Sequence, residues 1–154
     1  MFAPDALADK VISVADGDTL TVLRDRTPFK IRLANIDAPE KAQPFGTRSR
    51  LSLAELCYGK DASYTVQSLD RYKRAIAVVT CDGVEANRQQ VARGMAWVYV
   101  RYNADRSLPV VEGQARQAGR GLWREDSAVA PWEFRRAKKS GRVGREGRND
   151  QVSR

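Results

Sequence analysis

Five short strands, with a helix between the third and the fourth, predict a small Greek-key barrel of the OB type, a mainly β fold carrying about three helices. Three observations carry this expectation. Thr19–Leu23 (TLTVL) and Phe29–Leu33 (FKIRL) alternate apolar and polar residues across a short gap, the period of half-buried strands in a hairpin. Leu53, Leu56 and Cys57 then recur at helical spacing. Two further strand-like runs follow that helix, Asp61–Ser68 and Ala75–Thr80. An open five-stranded α+β sheet uses the same elements and remains the alternative.

In chain order, Lys10–Val14 (KVISV) is the first strand, and Ala15-Asp16-Gly17 turns it into the hairpin. Asp25-Arg26-Thr27-Pro28 is turn material between the hairpin strands. Lys41–Pro44 reads as loop and Phe45–Cys57 as helix, with Gly59 placed to cap it. The charged run Leu69–Arg74 connects the fourth and fifth strands, and Asp82-Gly83 is a turn. Glu85–Arg93 is a short helix stopped by Gly94, Met95–Val100 is strand-like, and Val110–Ala118 is a third helix. Trp97, Trp123 and Trp132 are expected to pack rather than to bind.

The hairpin gathers chemistry at one end. With the turn centred on residues 25–28, one-to-one pairing sets position 18 opposite positions 33–35. Asp37 lies only a few residues further on, so Asp18 and Asp37 are expected to be neighbours. Arg32 sits on the polar face of its strand, and Glu40 follows Pro39, where the strand cannot continue. Taken singly, Asp16-Gly-Asp18 is an ordinary polar turn, and Asp37 with Glu40 is an Asx-turn and helix-start signal. Arg32 alone could simply pair with one of these acids. Together the like-signed groups would repel unless a cation or arginines compensate.

Composition narrows the chemistry. The chain has 154 residues, a one-domain length, and no histidine. Serine triads, histidine-based nucleases and zinc–histidine sites are excluded, so a hydrolase here needs a carboxylate, Lys or Tyr as its base. The net charge is +8, of which residues 135–154 hold +6. The domain itself is therefore near neutral, and residues 135–154 read as a basic, disordered tail beyond a domain at 9–134. No run is long and apolar enough to span a membrane. Cys57 and Cys81 are too few for a zinc site without histidine. They either pair or serve as small core residues; pairing would close a loop worth roughly 3 kcal/mol in the chain-entropy account. Residues 1–8 end in Ala6-Leu7-Ala8, the small-x-small pattern of a signal-peptidase site. Read that way, the protein is secreted or periplasmic; an Ala-rich terminus is the alternative.

Asp16-Gly-Asp-Thr19, Arg32, Ile36-Asp-Ala-Pro-Glu40 and Asp70-Arg-Tyr-Lys-Arg74, in this order, resemble the staphylococcal-nuclease (thermonuclease) family. Asn87–Ala96 and Gly121-Leu-Trp123 are similar to later stretches of that family, and the resemblance spans Lys10 to Trp123. It implies an OB barrel and calcium-dependent hydrolysis of DNA and RNA phosphodiesters with little sequence preference. It also implies a monomer that needs no membrane and prefers single-stranded or frayed substrate. By position, Asp18, Asp37 and the Ala38 carbonyl resemble the Ca2+ ligands. Glu40 resembles the general base, and Arg32 and Arg74 the phosphate-binding arginines. Tyr72 and Tyr102 are candidates to stack on bases or bond a phosphate, with a plain surface or core role equally open for Tyr102. Lys73 departs from the glycine usual before the second arginine, which bears on how Arg74 is aimed. Two other functions compete: a non-catalytic nucleic-acid-binding OB module and a protein-binding barrel with a basic tail.

Overall fold

The structure, a computed structural model, describes residues 8–149, with side chains through Gly141. The signal-like reading of residues 1–8 falls, apart from Ala8, outside the described residues. The first three strands are β1 (Asp9–Asp16), β2 (Thr19–Arg24) and β3 (Thr27–Leu33). The β2–β3 turn is tighter than the sequence suggested. Only Asp25 and Arg26 lie outside the ladder, both at positive φ (47° and 66°), as a two-residue turn matching the strand twist requires. The register that follows pairs Thr19 with Arg32 and Leu20 with Ile31.

A two-residue strand β4 (Ile36–Asp37) leads through a loop to α1 (Gly46–Cys57), and β5 (Asp61–Leu69) and β6 (Ala75–Cys81) follow. The sheet order is β3-β2-β1-β5-β6, and β3 pairs again with β6 in parallel, Arg32 opposite Ile76. That last pairing closes the five strands into the expected barrel rather than an open sheet. Leu20, Val22, Ile31, Leu33, Ala75, Ala77 and Val79 fill it, each at most 1 % exposed. Asn87 seals one end. Its side chain accepts from the Val79 amide (2.9 Å) and donates to the carbonyls of Ala34 (2.9 Å) and Ala77 (3.1 Å). Backbone groups left over where β3 and β6 diverge are thereby satisfied, as burial demands.

The remaining elements are β7 (Val84–Glu85), α2 (Ala86–Ala92), β8 (Trp97–Val98), α3 (Leu108–Gln117), a 3-10 turn at Gly121–Arg124, and α4 (Pro131–Asn149). Of the strand-like run Met95–Val100, only Trp97 and Val98 pair, with Asp37 and Ile36. Gly94 (φ 69°) stops α2 and lies where a Cβ would collide with the Arg120 carbonyl, so its backbone can accept from Leu122 at 2.9 Å. The basic segment corrects the expectation of a disordered tail from residue 135: α4 begins at Pro131 and continues through it to Asn149. Among the described residues the α-helices are α1 to α4. Proline at a first helical position is pre-set for helix. The Trp132 ring stacks on Tyr99 at 5.5 Å and 7° and meets Trp97 edge-on at 5.7 Å, which docks α4 on the barrel.

Cys57, at the end of α1, is bonded to Cys81, at the end of β6, with 24 residues of separation. The bridge ties the helix to the barrel. Replacing both cysteines by alanine is expected to cost about 3 kcal/mol and to lower Tm by roughly 6–12 °C. A calorimetric scan checks this, and an unchanged Tm contradicts it.

Candidate active site

The hairpin register delivers Asp18 to Asp37. The Leu33 amide donates to the Asp18 carbonyl at 2.7 Å, and the Ala38 amide donates to Asp18 Oδ2 at 2.7 Å. Both carboxylates are buried, Asp18 at 6 % and Asp37 at 1 % exposure. Asp37 is fixed from its other side by the short β4–β8 pairing with Trp97. Gly17 sets the turn that precedes Asp18. A Cβ there would overlap the Ser49 hydroxyl and crowd the Ala38 Cβ at 2.9 Å, so only glycine lets the turn rest against α1. Gln90 holds the same turn by donating to the Gly17 carbonyl at 2.8 Å and to the Ser49 carbonyl at 3.0 Å.

One cleft of about 380 Å³ is lined by Asp16, Asp18, Asp37, Ala38 and Glu40 together with Arg32, Arg74 and Arg135. Arg32 Nη2 lies 3.4 Å from Asp18 Oδ2 and 3.3 Å from Asp37 Oδ1, and its Nη1 donates to the carbonyls of Leu33 and Ile36, both at 2.9 Å. It is thus a fixed fork between the two aspartates. Glu40 is half-exposed at the rim, its own amide donating to Gln43 Oε1 at 2.9 Å. Burial and then the charge of Asp18 push the Asp16 carboxyl up to about 7. Burial also raises the Asp37 carboxyl. The hydrogen bond from Arg135 opposes that rise, the Asp18 charge adds to it, and the charges of Arg32 and Arg135 oppose it again.

Arg74 comes from the β5–β6 connection. Asp70 organises that loop, accepting from the Tyr72 and Arg74 amides (both 2.9 Å) and from Arg74 Nε (2.7 Å). Lys73 takes φ 61°. The left-handed position that suits glycine is kept with a lysine in it, at a cost of about 1–2 kcal/mol, and Arg74 still reaches the cleft. Tyr72 and Tyr102, 68 % and 60 % exposed, line an adjoining cleft of about 320 Å³. Arg32, Arg71, Tyr72, Arg74 and Tyr99 wall both clefts. Tyr102 belongs to the second cleft and packs edge-on against Tyr99 at 4.8 Å.

One residue that binds the acids of this cleft was not expected there: Arg135. Arg135 was placed in a tail, yet its Nη2 donates to Asp37 Oδ2 at 2.7 Å. Its Nη1 donates to Glu40 Oε1 at 2.8 Å and to Asp37 Oδ1 at 3.2 Å. The signal that locates it is Pro131 as a helix start, which puts Trp132 and Arg135 on one helical face.

The donors suit a hard cation, since Asp18, Asp37 and the Ala38 carbonyl offer only oxygen. Among the described residues, however, no three acidic side chains converge at metal-binding distance. The reason is visible in the hydrogen bonds. Asp18 is turned onto Thr19 Oγ1 and the Ala38 amide, and Asp37 onto Arg32 and Arg135.

The loop that carries Arg74 makes a pH-dependent prediction. Burial raises Asp70, but the Arg74 amide, the Arg74 side chain and the Tyr72 amide more than offset it, and the carboxyl lies below its usual range. A depressed folded pKa contributes stability that is present above the unfolded value and lost as pH falls through the folded value. Asp70→Asn is therefore expected to melt below the wild type at pH 7, with the gap closing as pH falls below about 4. A gap that stays constant under thermal denaturation across that range contradicts the assignment.

The sequence profile of the family described as staphylococcal nuclease homologue matches residues 30–125. An uncharacterized endonuclease of Escherichia coli O157:H7 is 44 % identical over 130 residues, covering 84 % of this chain and 85 % of that protein. A micrococcal nuclease of Shigella flexneri is 37 % identical over 142 residues, covering 85 % of this chain and 82 % of that protein. A staphylococcal-like nuclease of Arabidopsis thaliana is 35 % identical over 113 residues, covering 73 % and 35 %. With this profile over more than half of the chain and relatives of this similarity along most of its length, the chain belongs to the staphylococcal nuclease homologue family.

Proposed function

We propose that this protein hydrolyses phosphodiester bonds of DNA and RNA with calcium and with little sequence preference. Family membership makes it a nuclease of the hydrolase class; the cation and the breadth of substrate are the reading offered here. One observation carries it: Asp18, Asp37, Glu40, Arg32 and Arg74 line a single cleft.

Each residue has a task its surroundings support. Asp18, Asp37 and the Ala38 carbonyl would hold the ion, which when bound neutralises phosphate charge and orients water. Arg32 is pre-set by two main-chain carbonyls, so its fork can meet phosphate oxygens with little rearrangement. Arg74 also lines the cleft and would add positive charge where the pentacoordinate phosphate gains negative charge. Glu40, at the rim, would take a proton from water; in a chain without histidine that role falls to a carboxylate, Lys or Tyr, and Glu40 is the half-exposed carboxylate of this cleft. Tyr72 and Tyr102 present exposed rings beside the phosphate path, where an unpaired base can stack. Stacking of that kind favours single-stranded or frayed substrate.

The Cys57–Cys81 bridge supports a secreted or periplasmic location, because such bonds persist in oxidising compartments. No helix among the described residues is long and apolar enough to cross a membrane. We read the working unit as a monomer, as the family resemblance implies.

Single-stranded DNA is expected to be degraded with calcium and to stay intact with chelator. Glu40→Gln and Arg32→Ala are each expected to lower kcat on the order of 10² to 10³-fold. Cleavage that survives chelator, or full rate in Glu40→Gln, overturns the mechanism. Tight binding of intact DNA with calcium selects the non-catalytic module instead.

A further inference from the structure

We propose that Arg135 is a positioning residue of this site that competes with the cation for Asp37 and releases Glu40 when the cation wins. The inference rests on the reading of Asp37 as a cation ligand. It starts from three of the four bonds that Arg135 makes, two to the oxygens of Asp37 and one to Glu40 Oε1; the fourth runs to the Tyr99 hydroxyl at 3.4 Å. Asp37 is 1 % exposed, and Arg32 already reaches Oδ1 at 3.3 Å. Both Asp37 oxygens are therefore committed to guanidinium groups.

A calcium ligand must offer an oxygen at about 2.3–2.6 Å to the ion. An ion at that distance from Asp37 sits beside the Arg135 guanidinium, which cannot shed its charge in a protein. Repulsion has to be relieved by weaker cation binding or by movement of Arg135. Charge count points the same way. Asp16, Asp18, Asp37 and Glu40 face Arg32, Arg71, Arg74 and Arg135 in this cleft, so removing Arg135 makes the site more negative by one charge, right beside Asp37.

Arg135 is well placed to exchange. It is 38 % exposed on its side chain, while α4 beneath it is anchored by the Trp132–Tyr99 stack and by Gln43 Nε2 donating to the Val129 carbonyl at 3.0 Å. The side chain can leave Asp37 without the helix leaving the barrel. Its departure also frees Glu40 Oε1 to accept from water instead of from Arg135. One displacement thus links occupancy of the cation site to availability of the base. Linkage is reciprocal, so whatever factor Arg135 takes from cation affinity, the cation takes from the Arg135 contact.

The test is calorimetric titration of the full chain with calcium alone, at low ionic strength and without nucleic acid. Arg135→Gln is expected to bind calcium roughly ten-fold more tightly than wild type, and Arg135→Lys close to wild type. Arg136→Gln removes the same charge from the exposed neighbour and is expected to change affinity little, which separates local competition from net charge. Trp132→Ala loosens α4 by removing its stack on Tyr99, while every charged group of the cleft is kept. It is expected to tighten binding in the same direction and serves as the test if Arg135→Gln does not fold. Calcium affinity in Arg135→Gln that equals or falls below wild type overturns the inference, as does an equal gain in Arg136→Gln. If neither wild type nor any variant binds calcium, the cation reading of Asp37 fails, and this inference with it.

Discussion

Asp18 and Asp37 are buried side by side, and two carboxylates in that position cannot stand without compensation. Much of the molecule answers that one constraint. Arg32 forks between them, the Ala38 amide caps Asp18, and Arg135 reaches down from the last helix to close both oxygens of Asp37. The Asp16 carboxyl, two residues from Asp18, is pushed up to about 7 by burial and by the charge of Asp18. Such an environment favours whatever brings positive charge to it, whether a guanidinium or a hard cation carrying a phosphate.

The barrel supplies the geometry that makes the constraint unavoidable. A two-residue turn at Asp25-Arg26 fixes the β2–β3 register, and the register fixes Asp18 opposite Leu33. Closure through β3–β6 holds Arg32 beside Ile76 and brings the strand end that feeds Arg74 to the same rim. Gly17, Ser49 and Gln90 pin the acidic turn against α1. A site built this way depends on backbone register more than on side-chain freedom, which suits chemistry that needs charges held in place before substrate arrives.

The convergence of Asp18, Arg32, Asp37 and Glu40 was legible in the sequence because it follows from strand pairing, a one-dimensional rule. The barrel was legible for the same reason, through alternation in β2, β3 and β5 and the apolar run of β6. Arg74 needed the family pattern, since nothing local says that the Leu69–Arg74 connection folds over the hairpin. Its Lys73 raised doubt that the structure resolves: Lys73 adopts the positive φ itself. Arg135 was illegible for a different reason. Composition averaged over residues 135–154 reads as a solvated tail, and that average hides the helix start at Pro131 and the Trp132 anchor. Even with the helix recognised, a contact across 98 residues leaves no periodic trace. The pairing of Cys57 with Cys81 also stood open in the sequence, because two thiols alone do not state whether they meet.

The central claim is that Asp18 and Asp37 act as one unit on one cation. The most direct measurement is calcium affinity of Asp18→Asn, Asp37→Asn and the double variant, read against wild type. If the two carboxylates share an ion, each single substitution removes most of the affinity and the double adds little, the non-additivity expected of residues in one site. Losses that add independently, or affinity unchanged in either single variant, would contradict the account.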